Sequence, residues 1–392
     1  MRGVFLGLLI FIGISCNSLV NDIYDIDPAD FGTNPISLKD ITDDIQYIPL
    51  DNKIPFTNFK YIINKNSIYI SARDIGILEF DRNGMLIRTI GSRGIGPGEF
   101  RLGMDFTVDE VTGKVYVLDY RKILVYSREG TYLRDISFEG LPGNSGMPGD
   151  LEFYNSFLFL PDYNINGYSK LDWSFLDTLG NLISNKRNSV PPFVTNVGMD
   201  GSIYIYASHL CYYNLYNDTI FSISPDLSFE AGYIFTPGNH RWPKTKIDIS
   251  QTKNHYNFFR PLNMFETKKY IVFRYYFGDN SAIAFIDKET KKTSVAMKTE
   301  KTGSGINTYR SYLKNDLDGG PAFSGWIQFY EENGREYLTS LINPLDIKNL
   351  IINGEFRDSK VHDPKKKKEF EELANRISET DNPILMMVKL KD

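Results

Sequence analysis

Residues 91–136 read GSRGIGPGEFRLGMDFTVDEVTGKVYVLDYRKILVYSREGTYLRDI. The first ten hold four glycines and one proline, which supply backbone angles that bulkier residues disfavour and so predict a loop. An apolar run at 104–108 follows, then a turn at 109–114. Beyond it lie 115–118, a break at 119–122, 123–126, a turn at 127–130, and 132–136. Runs rich in Val, Ile, Leu, Tyr and Phe, split by Gly, Asp, Ser and Lys, predict four short strands joined by tight turns.

The same pattern stands immediately upstream, in YIINKNSIYISARDIGILEFDRNGMLIRTI at 61–90. Tyr69 matches Tyr116 at a separation of 47, and Gly84 matches Gly130 at 46. Ile87-Arg88 likewise matches Leu133-Arg134. A third copy spans 151–184, with Phe159 falling 43 residues after Tyr116. A fourth takes in 193–197, 203–206, 210–216 and 219–223, with Tyr204 a further 45 along. The period then breaks at a polar insertion, 236–261, and resumes at 270–277, 282–287 and 293–297. After a second insertion, 298–323, the segments 326–330, 336–342 and 383–390 read as strands of a sixth copy. Four strands in about 45 residues, repeated, is the signature of a β-propeller blade. The expected fold is all-β, a six-bladed propeller, closed by residues 45–50 pairing with the C-terminal strand so that no sheet edge stays open. One C-terminal amphipathic helix is expected: Asp363 suits its N-cap, Pro364 its first turn, and Phe370, Leu373, Ala374 and Ile377 form one apolar stripe.

The segments IQYIPLD (45–51), FDRNGMLIRTIGSRGIGPGEF (80–100), NDLDGGPAF (315–323) and NPILMMVKLK (382–391) together resemble the six-bladed β-propeller lipoproteins of Gram-negative bacteria, relatives of the NHL-repeat propellers. The likeness covers roughly residues 40–392. It implies six blades and a place in the cell envelope, and it lends no catalytic residues.

Residues 1–15 predict a signal peptide. Arg2 precedes an apolar run at 4–14, which is too short for a membrane span of about 20 residues. Gly13-Ile14-Ser15-Cys16 resembles a bacterial lipoprotein signal, in which Cys16 carries the lipid and anchors the chain to the outer membrane. Gly13 departs from the Leu, Val or Ile usual there, and an ordinary secretory peptide is the alternative. Residues 16–40 are polar and acidic and predict a tether, leaving 41–392 for the propeller. Of two cysteines only Cys211 then remains, so no internal disulfide forms. A net charge of −5 provides no basic field to recruit nucleic acid.

Chemistry is sparse. The glycine loop lacks the Gly-Lys-Ser/Thr of a P-loop and precedes no helix, so it reads as an interblade connection with Phe100 packed between blades. No cofactor motif, nucleophile elbow or zinc-protease signature occurs. Asp316 and Asp318 are weak candidates for a divalent ion, since the twelfth position of an EF-hand count falls on Ile327. His209 and Cys211 alternate on one strand but lack further ligands. The breaks between second and third strands carry Arg73-Asp74 and Asp119-Tyr120-Arg121. In a propeller such connections gather at one end of the channel, where these side chains, with Trp242 and His255 of the insertion, would bind a polar ligand. Two function classes result. One is a noncatalytic module binding a glycan, peptide or envelope protein; the other is a polysaccharide hydrolase or lyase with its site at the channel.

Overall fold

The computed structural model describes residues 22–25, 31, 34–103, 105–138, 141, 148–162, 170–189, 201–243, 258–301 and 307–391. The repeat quoted above forms four antiparallel strands, Asp105–Val108, Val115–Asp119, Lys122–Tyr126 and Tyr132–Ser137, paired in chain order. Its upstream copy forms Asn58–Ile63, Ser67–Ala72, Gly76–Asp81 and Leu86–Ile90. We number these blades two and one. Blade three comprises Glu152–Tyr154, Phe157–Pro161, Leu171–Leu176 and Leu182–Arg187. Blade four comprises Gly201–Tyr206, His209–Asn214, Thr219–Ile223 and Phe229–Thr236. Blade five has five strands, Arg260–Glu266, Tyr270–Phe277, Asn280–Asp287, Thr293–Lys301 and Asn307–Ser311. Blade six is Gln328–Glu332, Arg335–Ile342, Ile384–Leu390 and, outermost, Thr42–Pro49 from the other end of the chain. The fold is an all-β propeller.

Burial follows position in the blade. Val115–Asp119 and Leu171–Leu176 are buried at every residue, whereas the outer strand Leu182–Arg187 alternates half-buried with exposed. Neighbouring blades cover both faces of the middle strands, and the rim meets water. Tyr69, Ile77 and Ile90 of blade one pack on Phe106, Val117 and Tyr126 of blade two, with Phe100 of the glycine loop wedged among them. Tyr116, Leu118 and Ile123 then pack on Leu158, Leu160 and Leu176 of blade three.

Hydrogen bonds stitch each blade to the next near the axis. Lys60 reaches Asp105 at 3.0 Å, and the same carboxylate accepts from the Leu151 N–H at 2.8 Å. Tyr154 donates to the Ser208 carbonyl at 2.8 Å. The Met264 N–H donates to Ser202 at 3.1 Å, and the Ile327 N–H to Asn263 at 3.1 Å. Tyr61 and Thr339 share a 3.0 Å bond that joins blade one to blade six. The closing strand pairs as the sequence predicts, with Ile45 opposite Val388, Tyr47 opposite Met386 and Pro49 opposite Ile384. The turn of blade one leans on it: Gly84 has φ +85°, its carbonyl accepts from the Asp51 N–H at 2.8 Å, and a Cβ there would collide with the Pro49 carbonyl.

Several elements differ from expectation. Tyr204 lies on the first strand of blade four rather than the second, so that blade is set one strand later than the 45-residue match implies. Tyr212, not Tyr204, occupies the second strand; five tyrosines at 204, 206, 212, 213 and 216 make the register ambiguous. The expected strand at 193–197 lies outside the described residues. Phe229–Thr236, not foreseen, is the outer strand of blade four, and Arg260–Glu266, assigned in part to the insertion, is the inner strand of blade five. The second insertion contributes part of Thr293–Lys301 and all of Asn307–Ser311. Where a tether is expected, the described residues lie against the ring. Asp22–Asp25 pairs in parallel with Tyr233–Thr236, Phe31 packs 5.2 Å from Tyr275, Pro35 bridges Val295, and Leu38 and Ile41 are buried. Their apolar residues follow neither a helical nor a strand period, so pattern gives no signal. The helix Pro364–Arg376 forms with Asp363 as cap and Phe370, Leu373 and Ala374 inward; a second, Pro344–Ile352, accompanies it. No helix among the described residues is long and apolar enough to cross a membrane.

Candidate functional site

In an antiparallel blade the turn joining the second and third strands lies at the same end as the connection to the next blade. In blades one and two that turn is tight and holds Arg73-Asp74 and Tyr120-Arg121. In blade six the equivalent connection is long, residues 343–383, and carries the two longer helices with the one-turn helix Glu355–Asp358 between them. Asn343 caps the first, accepting from the Leu345 N–H at 2.9 Å, and Pro344 takes the first helical position. Lys348 ties it to the second helix through the Ala374 carbonyl at 2.8 Å. A cavity of about 1440 Å³ begins under this helix and extends along the inner strands of blades one, three, four, five and six. Asp346, Asn349, Leu350 and Asn353 line it. Their spacing of three or four residues places them on one helix face.

One wall of the cavity is ionic. The Lys60 ammonium sits 2.8 Å from Asp105, with Asp150 and Glu152 on the same wall. Burial pulls the lysine down, but the surrounding carboxylates outweigh it and hold it at about 12. Burial pushes the Asp105 carboxyl up to about 6 against the opposing pull of Lys60. Burial also raises Glu152, which accepts from the Thr107 hydroxyl at 3.1 Å. Asp105 and Glu152 thus spend their acceptor capacity on partners in other blades. A second buried carboxylate, Glu266, accepts from Tyr204 at 2.8 Å and Tyr233 at 2.7 Å and pairs with Lys288 at 2.6 Å.

The other wall is aromatic and amide-lined. Phe329 stacks on Phe265 at 6.2 Å, and Tyr330 accepts from Arg82 at 2.9 Å. Trp326 also lines the cavity and is 58% exposed.

The residues singled out from the sequence fall elsewhere. Asp119 is buried and accepts from the backbone N–H groups of Arg101 and Leu102 at 3.0 and 2.9 Å. Asp74 ion-pairs with Arg93, and Arg73 lies 4.0 Å from Asp74. Both aspartates therefore hold the two ends of the glycine loop. Tyr120 is exposed, with the Arg121 guanidinium 5.1 Å over its ring. These five share the end of the ring that bears the blade-six helices, but none of them lines the described cavity. Trp242 is buried against Phe258 at 5.6 Å with Arg260 5.2 Å over its ring, and His255 and Cys16 lie outside the described residues. Asp316 accepts from Ser37 and Lys39; burial raises its carboxyl, but these donors outweigh that and leave it lowered. Asp318 is fully buried and accepts from Tyr47. Cys211 is buried 4.0 Å from Glu266, which together with burial pushes its thiol up, and His209 turns to the Ala207 carbonyl. Among the described residues no group of three or more His, Cys, Asp or Glu side chains is placed to hold a metal ion. The cavity's helix face escaped notice because 343–353 is short; only its Asn-Pro start and 3–4 spacing could have flagged it.

A closed ring of antiparallel blades around a lined axial cavity defines the β-propeller class. Within it, the chain belongs to the family described as domain of unknown function DUF4934, whose model matches residues 23–389. No curated protein matches it. Among solved structures it is similar to a Bacteroides fragilis protein described as exported, at 17% identity and a TM-score of 0.65, covering 94% of this chain and 100% of that one. A member of the DUF4221 family from Bacteroides vulgatus aligns over 92% and 99% of the two chains at 12% identity and a TM-score of 0.49. Virginiamycin B lyase from Staphylococcus aureus aligns over 75% and 95% at 11% and 0.40. The last two likenesses are too loose to carry an argument.

Proposed function

We propose that this protein is a noncatalytic binding module, exported and held at the cell envelope by lipid on Cys16, which takes its ligand into the cavity beneath the helix Pro344–Ile352. One observation carries the reading: Lys60, Asp105 and Glu152 of the ionic wall are each bonded to a partner in another blade, while the helix side of the cavity presents an exposed indole, Trp326, and the amides of Gln328, Asn349 and Asn353. Groups locked into ring closure serve the scaffold, and unengaged rigid side chains on a cavity wall serve recognition. The exported description of the Bacteroides fragilis neighbour supports the location. A second reading, a polysaccharide hydrolase or lyase, draws on Asp105, whose carboxyl at about 6 lies near a working acid's range.

The two readings separate on turnover. The soluble chain from residue 17 is incubated with pooled bacterial glycans and with envelope peptides, and retained compounds are weighed by mass spectrometry. Recovery of a retained compound at unchanged mass, with a raised unfolding temperature for the protein, is expected. Appearance of cleaved or eliminated product that Asp105→Asn abolishes would establish the enzyme instead.

A further inference from the structure

We propose that the cavity is a saccharide site whose platform is the indole of Trp326; the proposal rests on the binding-module reading and names its ligand class. Three tryptophans occur in the chain. Trp173 and Trp242 are each 2% exposed and packed on other rings, Trp173 on Tyr212 at 5.1 Å and Trp242 on Phe258 at 5.6 Å. Trp326 is 58% exposed, lines the cavity, and pairs with no ring among the described residues. Trp326 lies two residues before the strand Gln328–Glu332, and its backbone is tied down: the Trp326 carbonyl accepts from Ser340 at 3.2 Å, and the next N–H, of Ile327, is held by Asn263. A fixed backbone therefore presents an uncovered apolar plane to a concavity. Tryptophan is ordinarily well buried, and a wet indole on a cavity wall is surface that a ligand's apolar face would cover with gain.

The polar groups of the same cavity identify the rest of the ligand. Gln328, Asn349 and Asn353 line it with side-chain amides, each offering one acceptor and two donors, and Asp346 adds a carboxylate. Among the described residues these four side chains bond to no protein group. A pyranose matches that set. Its C–H face is flat and apolar, and its rim carries hydroxyls that each donate and accept. The set fits an anion poorly, because the two lysines of the lining are already paired, Lys60 with Asp105 at 2.8 Å and Lys298 with Glu300 at 3.0 Å. An extended peptide would take its bonds from the backbone edges of the inner strands and would be indifferent to one indole.

The soluble chain from residue 17 is applied to an oligosaccharide array of hexose, N-acetylhexosamine and uronic acid chains, and in parallel to an array of extended peptides. A retained saccharide is then titrated by intrinsic tryptophan emission. Binding should shift the emission of the exposed Trp326 to shorter wavelength. Trp326→Phe should abolish that shift and weaken binding only a few-fold, and Trp326→Ala should weaken it about tenfold or more. Asn349→Ala and Asn353→Ala should each weaken it about threefold to tenfold, as a lost hydrogen bond does. Equal affinity for wild type and Trp326→Ala overturns the proposal. Retention of peptides alone overturns it too, while leaving the binding module intact. Retention of nothing on either array overturns both.

Discussion

The phenol of Tyr47 donates a 2.9 Å hydrogen bond to the carboxylate of Asp318, 271 residues further along the chain. Tyr47 belongs to the strand that closes the ring, and Asp318 to the loop ahead of blade six. Asp318 is fully buried; burial raises its carboxyl, and the Gly320 N–H, Tyr47 and Asn315 pull it down in part. Tyr47→Phe removes one of those donors without opening space. The expected cost is about 1–3 kcal/mol, the penalty of a buried acceptor left short of a partner.

That cost carries a pH signature. A carboxyl whose folded pKa lies above its unfolded value takes up a proton on folding, so stability falls as pH rises through the interval between the two. Losing Tyr47 lifts the folded value further and widens the interval. Urea unfolding should therefore show a larger deficit for Tyr47→Phe at about pH 7 than at about pH 4. Equal deficits at both would mean that the hydroxyl acts through the uncharged Asn315 amide, which donates to it at 3.2 Å, rather than by bonding Asp318.

Ring closure can be dissected by truncation. Removing residues 17–40 deletes the segment laid over blades four and five, including buried Phe31 and Leu38, and should lower the unfolding temperature while leaving one cooperative transition. Removing residues 17–52 also deletes Thr42–Pro49 and bares the edge of Ile384–Leu390. That chain should lose its cooperative transition and aggregate through the open strand. Two truncations with the same unfolding temperature would show that the outer strand is dispensable.

The blades were legible because turn chemistry and apolar runs recur at a near-constant spacing; Tyr69 and Tyr116 do sit at equivalent places on second strands. Closure was legible because Ile45 to Leu50 alternate and the chain's last strand would otherwise lack a neighbour. Legibility failed where one strand's aromatics could be mistaken for another's, as with Tyr204 and Tyr212. The site was legible only in kind. The turns joining second to third strands lie at the end of the ring that bears the helix Pro344–Ile352, but in blades one and two their residues do not line the cavity, which also runs past Glu110, Ser208 and Glu331 at the other end. Asp74 and Asp119 are instead drawn to the glycine loop, whose bare N–H groups and Arg93 need carboxylate partners. Composition alone cannot tell an aspartate that holds a loop from one that holds a ligand.

The rim of that end tests how far a ligand extends. Arg73 and Arg121 remain proposed contacts for a chain long enough to leave the cavity. Arg73→Ala and Arg121→Ala should weaken a disaccharide by less than about twofold and a hexasaccharide by about threefold, the worth of an exposed contact. Equal effects on both lengths in titration calorimetry would remove the rim from the site.

The proposed attachment to the envelope rests on Cys16. Cys16→Ser should abolish incorporation of labelled fatty acid and move the protein from the membrane pellet to the soluble fraction. Equal labelling of both forms would leave an ordinary secretory signal as the explanation of residues 1–15.

The ionic wall of the cavity yields the last prediction. Lys60 is the cation among Asp105, Asp150 and Glu152, and its pKa, raised from 10.5 to about 12, marks stability that is present below about pH 10.5 and lost on rising to about 12. Asp105, raised from 3.8 to about 6, works the other way: it takes up a proton on folding, so stability is lost as pH rises through that interval. Lys60→Met keeps the aliphatic length and removes the charge. At about pH 7.5 the buried carboxylates are then left ionised without their partner, and the expected loss is about 3–5 kcal/mol. Lowering the pH to about 5 should restore a substantial part of it, because protons neutralise Asp105 and Glu152 in place of the ammonium. Wild type should change less over the same range. Urea unfolding of both chains at the two pH values makes the comparison, and a deficit that does not shrink in acid would assign the Lys60 charge to a cation–π contact with Phe106, whose ring lies 5.9 Å from its nitrogen.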